Sequence, residues 1–216
     1  MKSRTTTADR ILQAGRTLFN DKGYAATTLT EIAAVVGISQ GNLTYHFPTK
    51  SDLALRLISD ARQHSQNRRA TKRPGDIADD YVEHLLFAMD MTWNHRFALR
   101  DRGQVKEAIG VQIQDTELSA DFDELRQLVY RIEKEGMFRR DYEINIEKLT
   151  RSLWIVSRYW MDYLRETEEL DVIDWEDQER GIEQHFTVLL PCLTASARKE
   201  FTAALERRSK KLGMPQ

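Results

Sequence analysis

The sequence holds one cysteine, Cys192, among 216 residues. No disulfide can close within such a chain, and a reducing cytoplasm is the compartment this usage suggests. No apolar run approaches the ~20 residues that a bilayer-spanning helix needs, so no membrane partner is expected. The opening "MKSRTTTADR" lacks the apolar stretch of a secretory signal. Only four prolines occur, at 48, 74, 191 and 215, and each falls near an expected helix end. No segment keeps a strict period of two between turn residues, which argues against strands. The sequence also lacks the common catalytic signatures: HExxH, paired CxxC, a phosphate-cradling glycine loop and GxSxG. Five histidines (46, 64, 84, 95, 185) stand at no metal-ligand spacing. Asp80 and His84 are four apart and read as a pair on a helix surface. The expectation is a soluble, all-α protein that is not an enzyme and needs no metal or cofactor.

Net charge is −2, but it is unevenly distributed. Residues 1–73 carry 12 Lys/Arg against 5 Asp/Glu, giving +7, and residues 74–216 carry 20 against 29, giving −9. A basic front on an acidic body is the footprint of a chain whose front meets a polyanion.

Helix signals crowd that front. Ile11, Ala14, Gly15 and Leu18 share one face of a helix over about 7–22, and Gly23 suits the left-handed position that ends it. Thr28-x-x-Glu31 is a capping box that opens a second helix with Ile32, Ala33 and Val36 on its buried side. After the turn Gly37-Ile38-Ser39, Ser39 caps a third helix reaching Phe47. Two short helices across a tight glycine turn make a helix-turn-helix. Thr49 and Asp52 open a fourth helix that runs toward Pro74-Gly75, where the basic front ends. Further helices are expected near 76–97, 102–114, 119–136, 145–168, 174–192 and 195–209. The organisation read from this is a DNA-binding domain over 1–50, a connecting helix over 51–73 and a helical body over 74–216.

The third helix has an unusual composition. Leu43 and Phe47 are its only large apolar residues and must face inward. Its other side then presents Gln40, Gly41, Thr44 and Tyr45, flanked by Asn42 and His46. Amides and hydroxyls at such positions pair with base edges, and Gly41 lets the backbone come close to a duplex. Tyr45, His46 and Lys50 lie toward the far end, where phosphates pass and contacts set position. Free N–H groups at the starts of the second and fourth helices offer further phosphate sites.

The stretch "TTLTEIAAVVGISQGNLTYHFPTKSDL" resembles the DNA-binding signature of TetR/AcrR-family transcriptional regulators. The matching parts are Thr28, Ile32-Ala33, Gly37-Ile38-Ser39, Leu43, Tyr45-His46-Phe47 and Lys50. "ILQAGRTLFNDKGYAATT" is similar to the family's first helix. The resemblance implies base contacts from Gln40, Gly41 and Thr44, and phosphate contacts from Tyr45, His46 and Lys50, with Thr28, Ser39 and Asn42 beside them. Many members carry an aromatic residue where this chain has Thr44. Lys2 and Arg4 read first as a solvated tail and, as the alternative, as an arm entering a neighbouring minor groove.

The resemblance further implies a larger helical domain that dimerises and takes a small-molecule effector, so that a homodimer meets a palindromic double-stranded operator. "LWIVSRYWMDYL…PCL" also looks like the C-terminal region of a bacterial transcriptional repressor subgroup, with "RFALRDRGQV" where that subgroup has a Phe-x-Arg-Asp segment. Leu149, Leu153, Val156, Trp160 and Tyr163 step by 4, 3, 4 and 3, and Ile182, Phe186, Leu189 and Leu193 by 4, 3 and 4. Such seams suit a four-helix bundle between two copies, and packing within one chain makes the same pattern. Met89, Met91, Trp93, Phe97, Trp154, Tyr159 and Trp160 are candidates to line an effector pocket; each is also a natural core residue.

Overall fold

The computed structural model describes residues 5–109, 116–141, 143–170 and 172–211, without the side chains of 116–118 and 209–211. Lys2, Arg4 and residues 110–114 of one expected helix lie outside the described residues. What is described is helical, with one isolated bridge between Phe138 and Leu193 and no strand among the described residues.

Four helices open the chain: α1 (Thr7–Lys22), α2 (Leu29–Val36), α3 (Gln40–His46) and α4 (Lys50–Thr71). Each start has its own chemical cause. Thr6 with Asp9, Thr28 with Glu31 and Thr49 with Asp52 form reciprocal capping boxes, and Ser39 accepts from the Asn42 amide. Each cap satisfies N–H groups that a helix start leaves unpaired. Glycine ends α2, where Gly37 is left-handed at φ 74° and ψ 39°, so the chain reverses in three residues. The expected left-handed end at Gly23 is different. Its φ of 98° comes with an extended ψ of 155°, which sends the chain away from α1 rather than curling back over it.

The body opens with α5 (Ile77–Asn94) and continues with α6 (Arg96–Arg100), α7 (Arg102–Ile109), α8 (Thr116–Lys134), α9 (Ile146–Glu166), α10 (Trp175–Leu189) and α11 (Ala195–Lys211). The single helix expected over 76–97 stops at Asn94. The Asn20 side chain takes the Asn94 carbonyl at 2.9 Å and the Phe97 amide at 3.1 Å. Those long-range bonds replace helical ones, so the Asn94 carbonyl and the Phe97 amide keep partners at the break. The helix expected over 174–192 stops at Leu189 and tightens into a 3₁₀ turn at Leu190–Cys192, since Pro191 lacks an N–H.

The chain divides into two compact units, one of residues 1–72 and 91–115 and the other of 73–90 and 116–216. The first unit therefore takes in 91–115, a segment within the 74–216 span read from sequence as the body. Its core joins Ile11, Phe19, Ile32, Val36, Leu43, Phe47, Leu53 and Leu57 to Phe97 and Val105. Phe97 is fully buried, its ring 5.3 Å from that of Phe19. Arg100 donates to the Phe19 and Asn20 carbonyls and pairs with Asp101, which accepts from the Tyr24 amide. Arg100 thus closes the C-terminal end of α1.

In the second unit, Tyr81, Leu85, Val129, Ile132, Leu153, Phe186, Leu189, Leu193 and Phe201 form the core. A polar chain threads it. His185 bonds the Tyr81 hydroxyl through Nε2 and Ser157 through Nδ1, both at 2.7 Å. Ser157 donates its proton to the Leu153 carbonyl, so Nδ1–H donates to Ser157 and Nε2 accepts from Tyr81. Burial, with His84 nearby, pushes the His185 pKa down to about 3, so its ring is neutral. Asp80 and His84 are not the surface pair expected: both are buried, Asp80 on Arg131 at 2.6 Å and His84 beside Glu124 at 3.4 Å. The face of α5 that carries them looks into the core because Ile77, Tyr81 and Leu85 share it.

Candidate nucleic-acid interface

Two anchors orient α3. Leu43 has no exposed surface and Phe47 is buried, both in the core of the first unit. A seven-residue helix pinned at one side has its opposite side set by the 100° step per residue. Gln40, Gly41, Asn42 and Tyr45 are exposed, and Thr44 and His46 half-exposed. Tyr45 is 85% exposed, the most open of the large apolar or aromatic residues among those described. Its ring meets His46 edge-on at 5.4 Å, so the two aromatic side chains form one protruding feature.

A side chain added at Gly41 would meet nothing within 4 Å. Nothing inside the chain therefore calls for glycine there, in a helix where glycine costs ~0.5–1 kcal/mol against alanine. The Thr44 hydroxyl donates to the Gly41 carbonyl of its own helix at 3.2 Å. The side-chain Oε1 of Gln40 accepts from the Thr30 hydroxyl at 2.9 Å, linking α2 to α3.

The supports of α3 are also specific. Gly37 and Ile38 amides bond back to Ala34 and Ala33, closing the end of α2, and Arg10 on α1 donates to the Val36 carbonyl. These contacts set the angle between α2 and α3 with side chain and backbone alike.

Three sequence expectations change here. Lys50 is committed inward: its ammonium donates to the Tyr24, Ala25 and Thr27 carbonyls at 2.8, 3.2 and 3.0 Å and lies 4.5 Å from the Tyr24 ring centre. Partial burial lowers its pKa. A phosphate contact by Lys50 competes with three bonds already made. Nor are the starts of α2 and α4 free phosphate sites, since Glu31 and Asp52 take the N-cap amides and set a carboxylate beside each helix start. Glu31 is itself held as an anion, its pKa lowered to about 2 by Lys22 and Thr28. Thr28 and Ser39 spend their side chains on caps, and only their exposed edges face outward. Sequence reasoning missed Thr30 and Arg10; neither carries a signal apart from the packing of three helices.

The residues read as an effector pocket are divided between the two units. Met89 is core in the second unit, whereas Trp93 and Phe97 belong to the first, Trp93 under the Arg96 guanidinium at 4.2 Å. Met91 falls in the first unit as well. Trp154 packs edge-on against Phe122 at 5.5 Å. The Trp160 indole donates to the Asp177 carbonyl at 2.7 Å and stacks on Tyr163, while Tyr159 is exposed.

The expected dimer seams, Tyr163 apart, are used up inside one chain. Leu149, Leu153, Ile182, Phe186, Leu189 and Leu193 are buried within the second unit, and Val156 and Trp160 are half-buried. The alternative left open by periodicity, packing within the chain, accounts for them. The seam's last residue, Tyr163, faces out instead, in one stripe of α9 with Ile155 and Tyr159 at i, i+4 and i+8.

Comparison with known proteins now adds to this geometry. Residues 11–57 match the family described as bacterial regulatory proteins, tetR family, and residues 62–201 match a family described as bacterial transcriptional repressor. The HTH-type transcriptional regulator QacR of Staphylococcus aureus is 45% identical over 51 residues, 24% of this chain and 27% of that protein. The biofilm operon icaADBC HTH-type negative transcriptional regulator IcaR, from the same species, is 44% identical over 45 residues, 21% of this chain and 24% of its own length. These alignments thus span about a quarter of each relative. A TetR-family transcriptional regulator from Marinobacter aquaeolei superposes with a TM-score of 0.73 at 26% identity, covering 94% of this chain and 98% of its own. A gamma-butyrolactone receptor superposes at 0.64 with 19% identity over 96% and 98%, a likeness of fold.

Proposed function

Since the chain belongs to the TetR family of bacterial regulatory proteins, transcriptional regulators rather than enzymes, we propose that it is a repressor that binds a palindromic operator as a homodimer and responds to a small-molecule effector. The observation that carries the reading is α3. Leu43 and Phe47 clamp its apolar side, and Gln40, Gly41, Asn42 and Tyr45 are left in solvent. A polar helix of this size, held rigidly by one edge, fits a major groove about 12 Å wide.

In this reading residues 1–50 bind DNA, 51–73 connect, and 74–216 dimerise and take the effector, in the cytoplasm. Gln40 and Thr44 meet base edges, and the bare Gly41 lets the backbone approach. Tyr45 and His46 contact phosphates, with Thr28, Ser39 and Asn42 at the margin. Lys50 acts by shaping the α1–α2 loop that supports α3.

One recognition helix reads only a few base pairs, and two related by a twofold axis double the site. The outward stripe Ile155, Tyr159 and Tyr163 on α9 supports a second copy as partner. An effector acts by preferring one arrangement of the dimer over another and so shifting its population. Among the described residues no helix is long and apolar enough to cross a membrane.

Selection of random duplexes by the purified protein tests the reading. A palindromic consensus is expected, with affinity falling steeply as salt rises. Gln40→Ala should change the preferred base at one position in each half-site. Equal binding to all duplexes at low ionic strength would remove the operator from the proposal. A thermal-shift screen against metabolites and drugs tests the effector.

A further inference from the structure

The Thr30 hydroxyl donates to Gln40 Oε1 at 2.9 Å, across ten residues and the tight turn between α2 and α3. Both side chains are exposed, and Gln40 is the first residue of the helix read above as the one that enters DNA. An unrestrained glutamine in a major groove reads adenine with both ends of its amide. The oxygen accepts from N6 while the nitrogen donates to N7. In this chain the oxygen is already engaged and the amide plane is held from a second helix. One of the two Oε1 lone pairs is spent on Thr30, while both Nε2 donors remain for a base edge.

The geometry points to Thr30 as a positioning residue for base readout: by holding Oε1 toward α2, it biases Gln40 to read as a donor and so to select guanine, whose O6 and N7 both accept, over adenine. This inference rests on the operator-binding reading and adds which base chemistry the first turn of α3 selects. Thr30 does so without touching the base. Its hydroxyl proton is spent on Gln40, and α2 carries it at a fixed place because the Thr28–Glu31 capping box sets the start of that helix.

The test compares wild type, Thr30→Val, Thr30→Ser and Gln40→Ala, each first selected on random duplexes. Affinities are then measured for duplexes differing by guanine or adenine at the Gln40-dependent position. Valine keeps the shape of threonine and removes the hydroxyl; serine keeps the hydroxyl. Wild type and Thr30→Ser should favour guanine about tenfold, a typical discrimination for one good base contact. Thr30→Val should lose or invert that preference at unchanged thermal stability. In a Gln40→Ala background, Thr30→Val should have no effect on base choice, which separates positioning from a direct contact by Thr30. A wild type that prefers adenine, or a Thr30→Val protein with the wild-type preference, would overturn the inference and leave the operator reading standing. If the wild type prefers no sequence, the operator reading falls and this inference with it.

Discussion

Single side chains in the first unit serve two ends, support and contact, and Lys50 and Gly41 separate them. Lys50 makes three bonds to carbonyls of one loop. Lys50→Met should lower stability by ~1–3 kcal/mol, the range for polar groups left without a partner, as read from denaturant midpoints. The salt slope of DNA binding should stay within about one counterion of wild type, because no phosphate contact is lost. Gly41 gives the opposite pattern. With open space around its Cα, Gly41→Ala should stabilise the fold by ~0.5–1 kcal/mol through helix propensity. The same methyl stands where the backbone would meet the duplex, so operator affinity should fall about tenfold or more. A stabilised variant with undiminished binding would mean that α3 approaches DNA elsewhere.

Elements begin and end where local chemistry and distant partners agree. The starts of α2 and α4 were readable as Thr-x-x-Glu and Thr-x-x-Asp because a capping box is made within four residues. Thr28→Ala should cost ~0.5–2 kcal/mol, a usual loss for such a cap, and should reduce operator affinity as the α2 start frays and the Thr30–Gln40 link loosens. Circular dichroism melts and titrations on one duplex check both parts. The break at Asn94 was not readable, because its cause is Asn20, 74 residues earlier. Likewise the seams of α9 and α10 announced amphipathic helices correctly but not what they pack against. A 3.5-residue apolar period looks the same whether the partner helix belongs to this chain or to another copy.

At the scale of the molecule, the body's buried histidine and its outward stripe each lead to a measurement. Unfolded histidine titrates near 6.5, and His185 in the fold near 3. Below about pH 6.5 the unfolded chain takes a proton that the folded one refuses, so this contribution to stability is present above that pH and is lost as pH falls toward 3. The slope approaches ~1.4 kcal/mol per pH unit. Carboxylates held as anions, such as Glu31, act only at lower pH, below the usual carboxylate value of 4.5. Between pH 7 and 5 the wild type should therefore lose stability, and His185→Gln should show a flatter dependence, by denaturant titration at each pH. For the stripe, a double variant Ile155→Glu and Tyr159→Glu should shift sedimentation toward monomer at unchanged helicity. It should also weaken a full palindrome far more than a half-site.

The sequence by itself determined the helical class, the positions of α1 to α4, the helix-turn-helix and the polar face of α3. All of these rest on spacings of a few residues: caps, a glycine turn and two apolar anchors. Tertiary structure decided the rest. It turned Lys50 inward, joined Thr30 to Gln40, brought Phe97 into the first unit and spent the α9 and α10 seams inside one chain. Those outcomes depend on which distant atoms come within about 3 Å of one another, and no local pattern of residue types carries that information.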